Sequence, residues 1–400
     1  MRPFAGKRVL LGVTGGIAAY KAAELARLLS KAGAAVDVIL TEGGSHFVAP
    51  TTFEALTGRP VRRSLWERPL DHIELAKAAD LAIVAPATAD ALARLALGRA
   101  DDLLTATLLA YSGPVLLAPA MNTRMWDHPA TQRNVATLRE FGHAIVGPEY
   151  GALAEAEEGW GRMAEPEAIH AHAGRALEGE TPWTGRRVVV TAGPTREPVD
   201  DVRVLSNRSS GRMGLALAAS LWRRGASVEL VHGPLTVPPP VGPALRAVET
   251  AQEMCEAVQR AVSDADALFM VAAVADFRPR APARGKLRRG DGTPSIDLEL
   301  APDILGSVRG ALPERALVVG FALEDGDGDD AIARAEAKRS EKNLDCVVVN
   351  SAAEEGAGFE VETNRVVLLF RDGGRVDLPL ASKAEIAEGI LDHVESGLRR

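Results

Sequence analysis

The stretch RVLLGVTGG at residues 8–16 decides the fold of the first half of this chain. Its apolar run has the length of a buried strand, and Thr14, Gly15 and Gly16 form a tight turn after it. Residues 17–30 then show the apolar spacing of a helix. The stretch therefore predicts a strand–turn–helix unit. Its helix start could hold a phosphate through backbone N–H groups, but a purely structural tight turn would have the same sequence pattern.

The same order of elements returns in the second half. RVVVTAGPT at residues 187–195 predicts a strand and a turn, and residues 211–224 predict the helix that follows after an insertion. A chain of 400 residues is long enough for two cores, and its middle becomes polar and turn-rich near Glu180. We therefore predict two domains, residues 1–180 and 185–400.

Further apolar runs alternate with helical patterns in both halves. They lie at residues 35–40, 81–85, 115–118 and 144–146, and at residues 227–231, 267–271, 317–320 and 346–349. Strands separated by helices favour parallel sheets, and a terminal hairpin is predicted around residues 371–375. The predicted fold class is α/β, with two doubly wound, Rossmann-like domains that bind ligands at the carboxyl ends of their strands.

The net charge, the cysteine content and the apolar runs limit the partners and the cellular location that this protein can have. The formal net charge is −8, which gives no general attraction to nucleic acid or to an anionic membrane. Cys255 and Cys346 are too few for a disulfide framework or a cysteine-based zinc site. The chain begins without the apolar region of a signal peptide, and no apolar run reaches the roughly 18 residues of a spanning helix. We expect a cytoplasmic protein.

The run PAMNTRMW at residues 119–126 is the strongest candidate for a site in the first half. It follows the apolar run at residues 115–118, so it would lie at a strand end. The Met and Trp side chains suit a flat, polarisable ring, and Asn122 could orient a carboxylate. A turn whose Met and Trp cap the core is an equally good interpretation of this run taken alone.

Other polar groups follow neighbouring strands. Thr88 follows the third predicted strand, Thr105 lies further on, and either hydroxyl could bind a ligand or cap a helix. His72 begins a helical pattern and would be a base only if it and Asn122 converge.

These motifs, in order, resemble the flavin-dependent cysteine decarboxylases that act on phosphopantothenoylcysteine. The resemblance spans most of residues 5–165 and rests on TGGIAAYK, DHIEL, APATA and PAMNTRMW. It implies FMN as cofactor, His72 as base or charge partner, and Asn122 as the group that holds the substrate carboxylate. The implied FMN-binding residues are Gly15, Gly16, Thr41, Thr88, Thr105 and Met121.

The chain departs from these relatives in the lid that they close over the site. They often carry a cysteine as proton donor before Gly-x-Gly-Arg-Met, and Glu155 occupies that position here. A desolvated carboxyl group could donate the proton instead. Glu155 could instead be a solvated lid residue, an interpretation that we favour slightly.

The second half concentrates anion-binding groups after its first strand. Ser209, Ser210 and the N–H groups near Gly211 would lie at a helix start, and Arg203 and Arg212 add charge. A solvated loop is the alternative. Further on, Lys338 and Lys342 share one helical face, which could bind a triphosphate or be solvated.

These motifs, with APDIL at residues 301–305, resemble phosphopantothenate–cysteine ligases over nearly all of residues 185–395. The resemblance implies activation of the phosphopantothenate carboxylate by CTP and a divalent cation. It implies that Asn207 and Arg203 position the acyl-cytidylate and that Lys286 serves amide formation. The implied nucleotide-binding residues are Asp276, Lys286, Pro302, Asp303, Ile304, Leu305, Phe321, Lys338 and Lys342. Relatives have lysines where this chain has Arg288 and Arg289, so roles of those lysines do not transfer.

The two resemblances together imply a bifunctional enzyme of coenzyme A biosynthesis, because the product of the ligase is the substrate of the decarboxylase. Phosphopantothenate, cysteine and CTP would be its substrates, with FMN and Mg²⁺ or another divalent cation as cofactors and with metal ligands unassigned. Trimeric flavin domains and dimeric ligase domains would permit a homo-dodecamer. The alternative is a ligase whose flavin-binding half is regulatory or a scaffold. A nicotinamide dehydrogenase is disfavoured because the dinucleotide fingerprint is absent.

Overall fold

The structure is a computed structural model that describes residues 3–152, 157–288, 295–324, 329–351 and 361–398. Contacts within the chain divide it into two units, Met1–Gly179 and Glu180–Arg400. Each unit is built around its own parallel sheet, so each is described by itself.

The first unit contains a five-stranded parallel sheet in the order β2-β1-β3-β4-β5, with a separate hairpin, β6–β7. Its elements are β1 (Arg8–Val13), α1 (Ala19–Lys31), β2 (Ala35–Leu40), α2 (Glu42–Ser45), α3 (Pro50–Thr57), α4 (Asp71–Ala78), β3 (Leu81–Ala87), α5 (Ala89–Ala96), α6 (Leu103–Ala110), β4 (Val115–Pro119), α7 (Thr123–Trp126), α8 (Pro129–Glu140), β5 (Ala144–Ile145), β6 (Glu149–Ala152), β7 (Glu158–Arg162) and α9 (Pro166–Glu178).

The second unit contains an eight-stranded sheet in the order β12-β11-β8-β13-β16-β17-β18-β19, of which the last two strands are antiparallel additions. Its elements are β8 (Arg187–Ala192), β9 (Arg196–Pro198), β10 (Val204–Ser206), α10 (Arg212–Arg223), β11 (Ser227–His232), β12 (Ala244–Ala247), α11 (Ala251–Ala261), β13 (Ala267–Met270), β14 (Phe277–Pro279), β15 (Leu298–Leu300), α12 (Ile304–Val308), β16 (Leu317–Glu324), α13 (Asp329–Glu341), β17 (Cys346–Ser351), β18 (Thr363–Phe370), β19 (Arg375–Ser382) and α14 (Lys383–Val394).

Both parallel sheets are buried on both faces. In β1, Val9 and Leu11 pack into one core and Leu10 packs into the core on the opposite face. In β8, Val188 and Val189 likewise pack into the cores on opposite faces of the sheet. This alternation follows from the strand period of two, and it confirms the predicted doubly wound α/β fold.

The predicted hairpin near residues 371–375 is confirmed as β18–β19. The helix predicted at residues 17–30 begins at Ala19 and ends at Lys31. Neither β6–β7 nor β12 was predicted, because the sequences EYGA, EGWGR and ALRA lack an apolar run of strand length.

Candidate active sites

In the first unit, the loops after β1, β2 and β3 lie side by side at the carboxyl end of the sheet. A Cβ atom on Gly15 would lie 2.9 Å from the carbonyl carbon of Gly43, so no side chain fits where these two backbones meet. Gly16 has more room, because a Cβ there would meet only the Thr88 methyl group, at 3.9 Å. The structure therefore brings Gly15, Gly16 and Thr88 together, and it leaves open space beside Gly16.

The threonines at these strand ends serve as helix caps. Thr41 accepts a hydrogen bond from Gly44 N at 3.1 Å and donates one to Val13 O. Thr88 accepts one from Ala91 N at 3.2 Å. Each cap fixes the loop in which the threonine lies, and each hydroxyl group stays at the strand end where a ligand would bind.

Thr105 lies apart from these loops. It is 2% exposed and forms a capping box with Asp102 at the start of α6. The cavity that it lines also contains Leu95, Phe141 and His143, and burial lowers the pKa of His143. The role of Thr105 in binding FMN stays a prediction.

Asn122 and Met121 follow β4, as predicted, at the same edge of the sheet. Asn122 is the N-cap of α7, and its side-chain oxygen accepts a hydrogen bond from Arg124 N at 2.8 Å. Met121 N donates to Gly161 O at 3.0 Å, which joins the loop to strand β7. Gly161 has φ +143°, and a Cβ there would lie 2.1 Å from Met121 O. Backbone atoms therefore join the hairpin β6–β7 to the Asn122 loop. Glu155, between the two strands of this hairpin in the sequence, lies outside the described residues.

His72 occupies a different surface. It is the second residue of α4 and lines an open apolar cavity of about 820 Å³ with Trp66, Leu70 and Leu109. The Trp66 side chain is 89% exposed. Asn122 is not among the described residues that line this cavity, so one copy of the chain does not place His72 and Asn122 in a common cavity.

In the second unit, the carboxyl ends of the central strands open onto a cavity of about 660 Å³. Eight of the residues that the ligase resemblance implies line it, on several loops and on helices α12 and α13. They are Asn207, Asp276, Pro302, Asp303, Ile304, Leu305, Lys338 and Lys342, with Phe321 on β16 as a ninth. The predicted nucleotide-binding residues thus converge, with the exception of Lys286.

Threonine hydroxyl groups hold the loop after β13, which forms one wall of this cavity. Thr191 accepts hydrogen bonds from Val271 N and Ala272 N, at 3.0 and 3.1 Å. Thr195 accepts one from Ala275 N at 3.0 Å. The Asn207 amide adds two donated bonds, to the carbonyl groups of residues 273 and 274. These bonds position Asn207 against the loop that ends in Asp276.

Lys342 and Asp303 form an ion pair inside the cavity, with 2.5 Å between Nζ and Oδ2. Burial alone would raise the pKa of Asp303, but hydrogen bonds from Lys342 and Gly306 N and the charge of Lys342 and Lys338 outweigh it, and the pKa is lowered. The hydrogen bond to Asp303 raises the pKa of Lys342. Lys342 is therefore fully charged at neutral pH and faces the cavity with its position fixed.

Arg203 and Lys286 do not line this cavity. Arg203 donates to Leu287 O at 3.0 Å, and Asp200 accepts from Leu287 N at 3.1 Å. Asp201 accepts a hydrogen bond from Gly285 N. Hydrogen bonds join the loops that carry Arg203 and Lys286, so the structure places these two residues near one another and outside the lining of the cavity.

Two buried polar residues of the cavity lining were not predicted from the sequence. Lys383, the first residue of α14, is 7% exposed, and Asn364, on β18, is 3% exposed. The capping box formed by Ser382 and Glu385 is visible in the sequence and predicts a helix start there. Nothing in the sequence indicates that this helix begins at the cavity.

Two kinds of feature are absent from the described residues. Those residues contain no helix long and apolar enough to cross a membrane. They also contain no group of three or more His, Cys, Asp or Glu side chains placed to hold a metal ion.

The chain is similar to known proteins over its whole length. The Flavoprotein family matches residues 2–175, and the DNA/pantothenate metabolism flavoprotein C-terminal domain family matches residues 183–398. The coenzyme A biosynthesis bifunctional protein CoaBC of Vibrio vulnificus is 42% identical over 99% of both chains. That of Mycobacterium bovis is 46% identical over 97% of this chain and 96% of its own. A crystal structure of the C-terminal domain of a CoaBC protein is 38% identical, covers 53% of this chain and 97% of its own, and gives a TM-score of 0.45.

Proposed function

This chain belongs to the family of coenzyme A biosynthesis bifunctional proteins and is a decarboxylase and ligase, and from that membership we propose its two reactions. The second unit joins cysteine to phosphopantothenate through an acyl-cytidylate formed with CTP. The first unit then decarboxylates phosphopantothenoylcysteine to phosphopantetheine with FMN. The observation that carries the proposal is the convergence of nine predicted residues on one cavity of the second unit.

The strand-end loops of the first unit fit a flavin phosphate and ring. Gly15 and Gly16 open α1 with room beside Gly16, and the Thr41 and Thr88 hydroxyl groups stand at the same edge. Met121 adds a polarisable side chain at the end of β4. FMN supplies the reversible two-electron oxidation of the substrate thiol that allows the carboxylate to leave as carbon dioxide.

Two side chains of this unit act on the substrate. Asn122, held at the N-cap of α7, orients the carboxylate through its amide group. His72 acts as base or charge partner and does so from a neighbouring copy of the chain. The exposed apolar surface around His72, with Trp66 and Leu109, supports this arrangement, because such a surface favours association.

In the second unit, the cavity residues position CTP for attack. A carboxylate oxygen of phosphopantothenate attacks the α-phosphorus, and pyrophosphate leaves. The cysteine amine then attacks the acyl carbon, and CMP leaves. Lys338 and Lys342 hold phosphate charge, and Asn207 holds the acyl-cytidylate. We place Arg203 with Asn207 on the acyl-cytidylate and Lys286 at the amide-forming step, with Arg203 and Lys286 on the two loops that are hydrogen-bonded to each other.

A divalent cation belongs to this proposal because Mg²⁺, when bound with CTP, would neutralise charge on the phosphate groups. Magnesium commonly binds nucleotide phosphates with one or two carboxylates and retains several waters. Asp276 lines the cavity and is the carboxylate that we assign to this task.

Mass spectrometry of the products tests the proposal. Purified protein is incubated with phosphopantothenate, cysteine, CTP and Mg²⁺, and a parallel sample omits CTP. Phosphopantetheine that depends on CTP is the expected product. Absence of any product in both samples would overturn the proposed function.

The same measurement separates the second candidate, a ligase with a flavin-binding regulatory or scaffold unit. That candidate is motivated by Glu155, which stands where relatives carry the lid cysteine. It predicts accumulation of phosphopantothenoylcysteine. If phosphopantetheine forms, Glu155→Gln decides whether the carboxyl group is the proton donor, because loss of the final reduction with decarboxylation intact is expected only for a donor.

A further inference from the structure

Lys21 ends the motif TGGIAAYK, and it lies outside the groups proposed to bind FMN and substrate. Its side chain is on α1, of which it is the third residue, and the residue is only 6% exposed. Burial of an ammonium group is costly unless the charge is paired. The first turn of a helix also disfavours a cation, because the positive end of the helix dipole lies there. A lysine at this position therefore needs a specific partner.

The partners of Lys21 lie in the segment that follows strand β7. The Lys21 ammonium group donates a hydrogen bond to Met163 O at 3.2 Å, and its Nζ atom lies 3.1 Å from Glu165 Oε2. The other carboxylate oxygen of Glu165 pairs with Arg162, the last residue of β7. Met163 is 1% exposed and packs in the core of the first unit. A continuous polar bridge therefore joins the end of β7 to α1.

Strand β7 is fixed a second time, on the loop that carries Asn122. Met121 N donates to Gly161 O at 3.0 Å. A Cβ atom on Gly159 would clash with the Thr123 hydroxyl group, so this part of β7 also lies directly on the loop. Strand β7 consequently links two parts of the proposed decarboxylase site, the helix whose start faces the flavin phosphate and the loop that faces the substrate.

We propose that Lys21 is a positioning residue of the decarboxylase, which holds the end of β7 on α1 and thereby keeps the Asn122 loop in its substrate-binding conformation. The inference rests on the proposed decarboxylase function, because that function gives Asn122 its ligand. Without the Lys21 ammonium group, the end of β7 is released and the hydrogen bond between Met121 and Gly161 opens more often. The backbone groups at the start of α1 stay in place, so FMN binding does not depend on Lys21.

Hydrogen exchange of the full chain tests this attachment without requiring turnover. It compares wild type with Lys21→Met, Lys21→Arg and Lys31→Met, a control that removes an exposed charge from the other end of α1. In Lys21→Met, the Met121 amide should exchange about tenfold faster, because a charge-assisted hydrogen bond that holds β7 is lost. The amides of β1 should keep their wild-type rates, and Lys31→Met should match wild type throughout.

The conservative variant and the location of the effect separate positioning from a general loss of stability. Lys21→Arg should recover part of the protection at Met121, because a guanidinium group can donate to the same carbonyl and carboxylate oxygens. An equal rise in exchange at Met121 and in the core strand β1 of Lys21→Met would show a merely structural lysine and overturn the proposal.

Decarboxylation of supplied phosphopantothenoylcysteine measures the consequence for the substrate. Lys21→Met should raise the KM by about tenfold and change kcat by less than about threefold, because substrate binding is weakened rather than the chemical step. The flavin content, read from the visible absorbance, should equal that of wild type. Glu165→Gln removes one partner and keeps the bond to Met163, so it should raise the KM less. This variant carries the test if Lys21→Met does not fold.

The results that would refute the role of Lys21 differ from those that would refute the proposed function. An active decarboxylase with an unchanged KM in Lys21→Met and Glu165→Gln would overturn the positioning role alone. A lower flavin content with unchanged exchange at Met121 would also overturn it, and would assign the ammonium group to the flavin phosphate. A wild type that does not decarboxylate would refute the proposed function, and exchange at Met121 would still decide whether Lys21 holds β7.

Discussion

The two units use the same α/β plan, yet they assemble their sites differently. In the second unit, nine predicted residues from several elements line one cavity. In the first unit, Asn122 lies with the strand-end loops, whereas His72 lies in an apolar cavity lined by exposed Trp66 and Leu70. The difference teaches that strand ends gather loops within one chain, whereas the proposed role of His72, on an outer helix, requires a second copy of the chain to supply the rest of the site.

The largest effect is expected at His72. His72→Gln should lower decarboxylation of supplied phosphopantothenoylcysteine by about 10²- to 10⁴-fold, because a base or charge partner is lost. Ligation, measured as CMP release, should stay within about twofold of wild type, since His72 lies in the other unit.

A mixing experiment on the same residue tests the comparison directly. If His72 acts across copies, oligomers assembled from equal amounts of His72→Gln and Asn122→Ala chains should regain about a quarter of wild-type decarboxylation. At each site, His72 of one copy and Asn122 of the other are each intact in about half of the cases, so both are intact in about a quarter. No recovery in co-expressed, mixed oligomers would mean that His72 and Asn122 of one copy act together, and the contrast between the units would disappear.

The second largest effect concerns the stability of the second unit. Arg224 is 4% exposed and contacts Glu388 and Asp392 on α14 and Glu395 just after it. Arg224→Met should reduce the free energy of unfolding of this unit by about 2–4 kcal/mol, because partly buried carboxylates lose their counter-charge. Urea unfolding followed by hydrogen exchange in α10 and α14 measures it. The control Arg260→Met, at an exposed residue of α11, should leave the free energy of unfolding unchanged. A loss of protection confined to the first unit would contradict the prediction.

Lys342 should give a smaller, substrate-specific effect. Lys342→Met removes a charge-assisted contact and should raise the KM for CTP by about 10- to 100-fold. Lys31→Met, on an exposed residue of α1, is the matched control. An unchanged KM for CTP, with an altered KM for phosphopantothenate, would reassign this end of the cavity.

The smallest effect is the response of the first unit to pH. Burial lowers the pKa of His170, against the charge of Glu167, and the ring stacks on Phe4 at 4.4 Å. Burial also lowers the pKa of His143 and His172. A histidine whose folded pKa lies below its unfolded value of about 6.5 stabilises the fold above that pH, and the contribution is lost as the pH falls toward the folded value.

We therefore expect the first unit to lose stability as the pH falls below about 6.5. Hydrogen exchange resolved by unit measures this loss, and His170→Gln should make it smaller. A His170→Gln variant with the same pH dependence as wild type would show that the loss has another origin.

Much of this molecule could be predicted from its sequence because its signals are local. The apolar runs, the glycine turns and the PAMNTRMW loop lie where strand and helix periods place them. The hairpin β6–β7 could not be predicted, because its alternation consists of glycine against large polar or aromatic residues. The cavity position of Lys383 depends on the packing of α14 against α10, which joins residues far apart in the chain. The separation of His72 from Asn122 likewise depends on tertiary structure.

The backbone contact between hairpin β6–β7 and the Asn122 loop affects which mutations should inactivate the first unit. Gly161 meets the main chain of Met121, and Gly15 meets the main chain of Gly43, so these contacts contain no side chain that a mutation could replace. Replacing the Met121 side chain leaves its backbone contact with Gly161 in place. An added methyl group at Gly15 or Gly161, by contrast, would force two backbones apart. In a mutational scan for loss of decarboxylation, we therefore expect inactivating alleles to accumulate at positions that contribute no side chain at all.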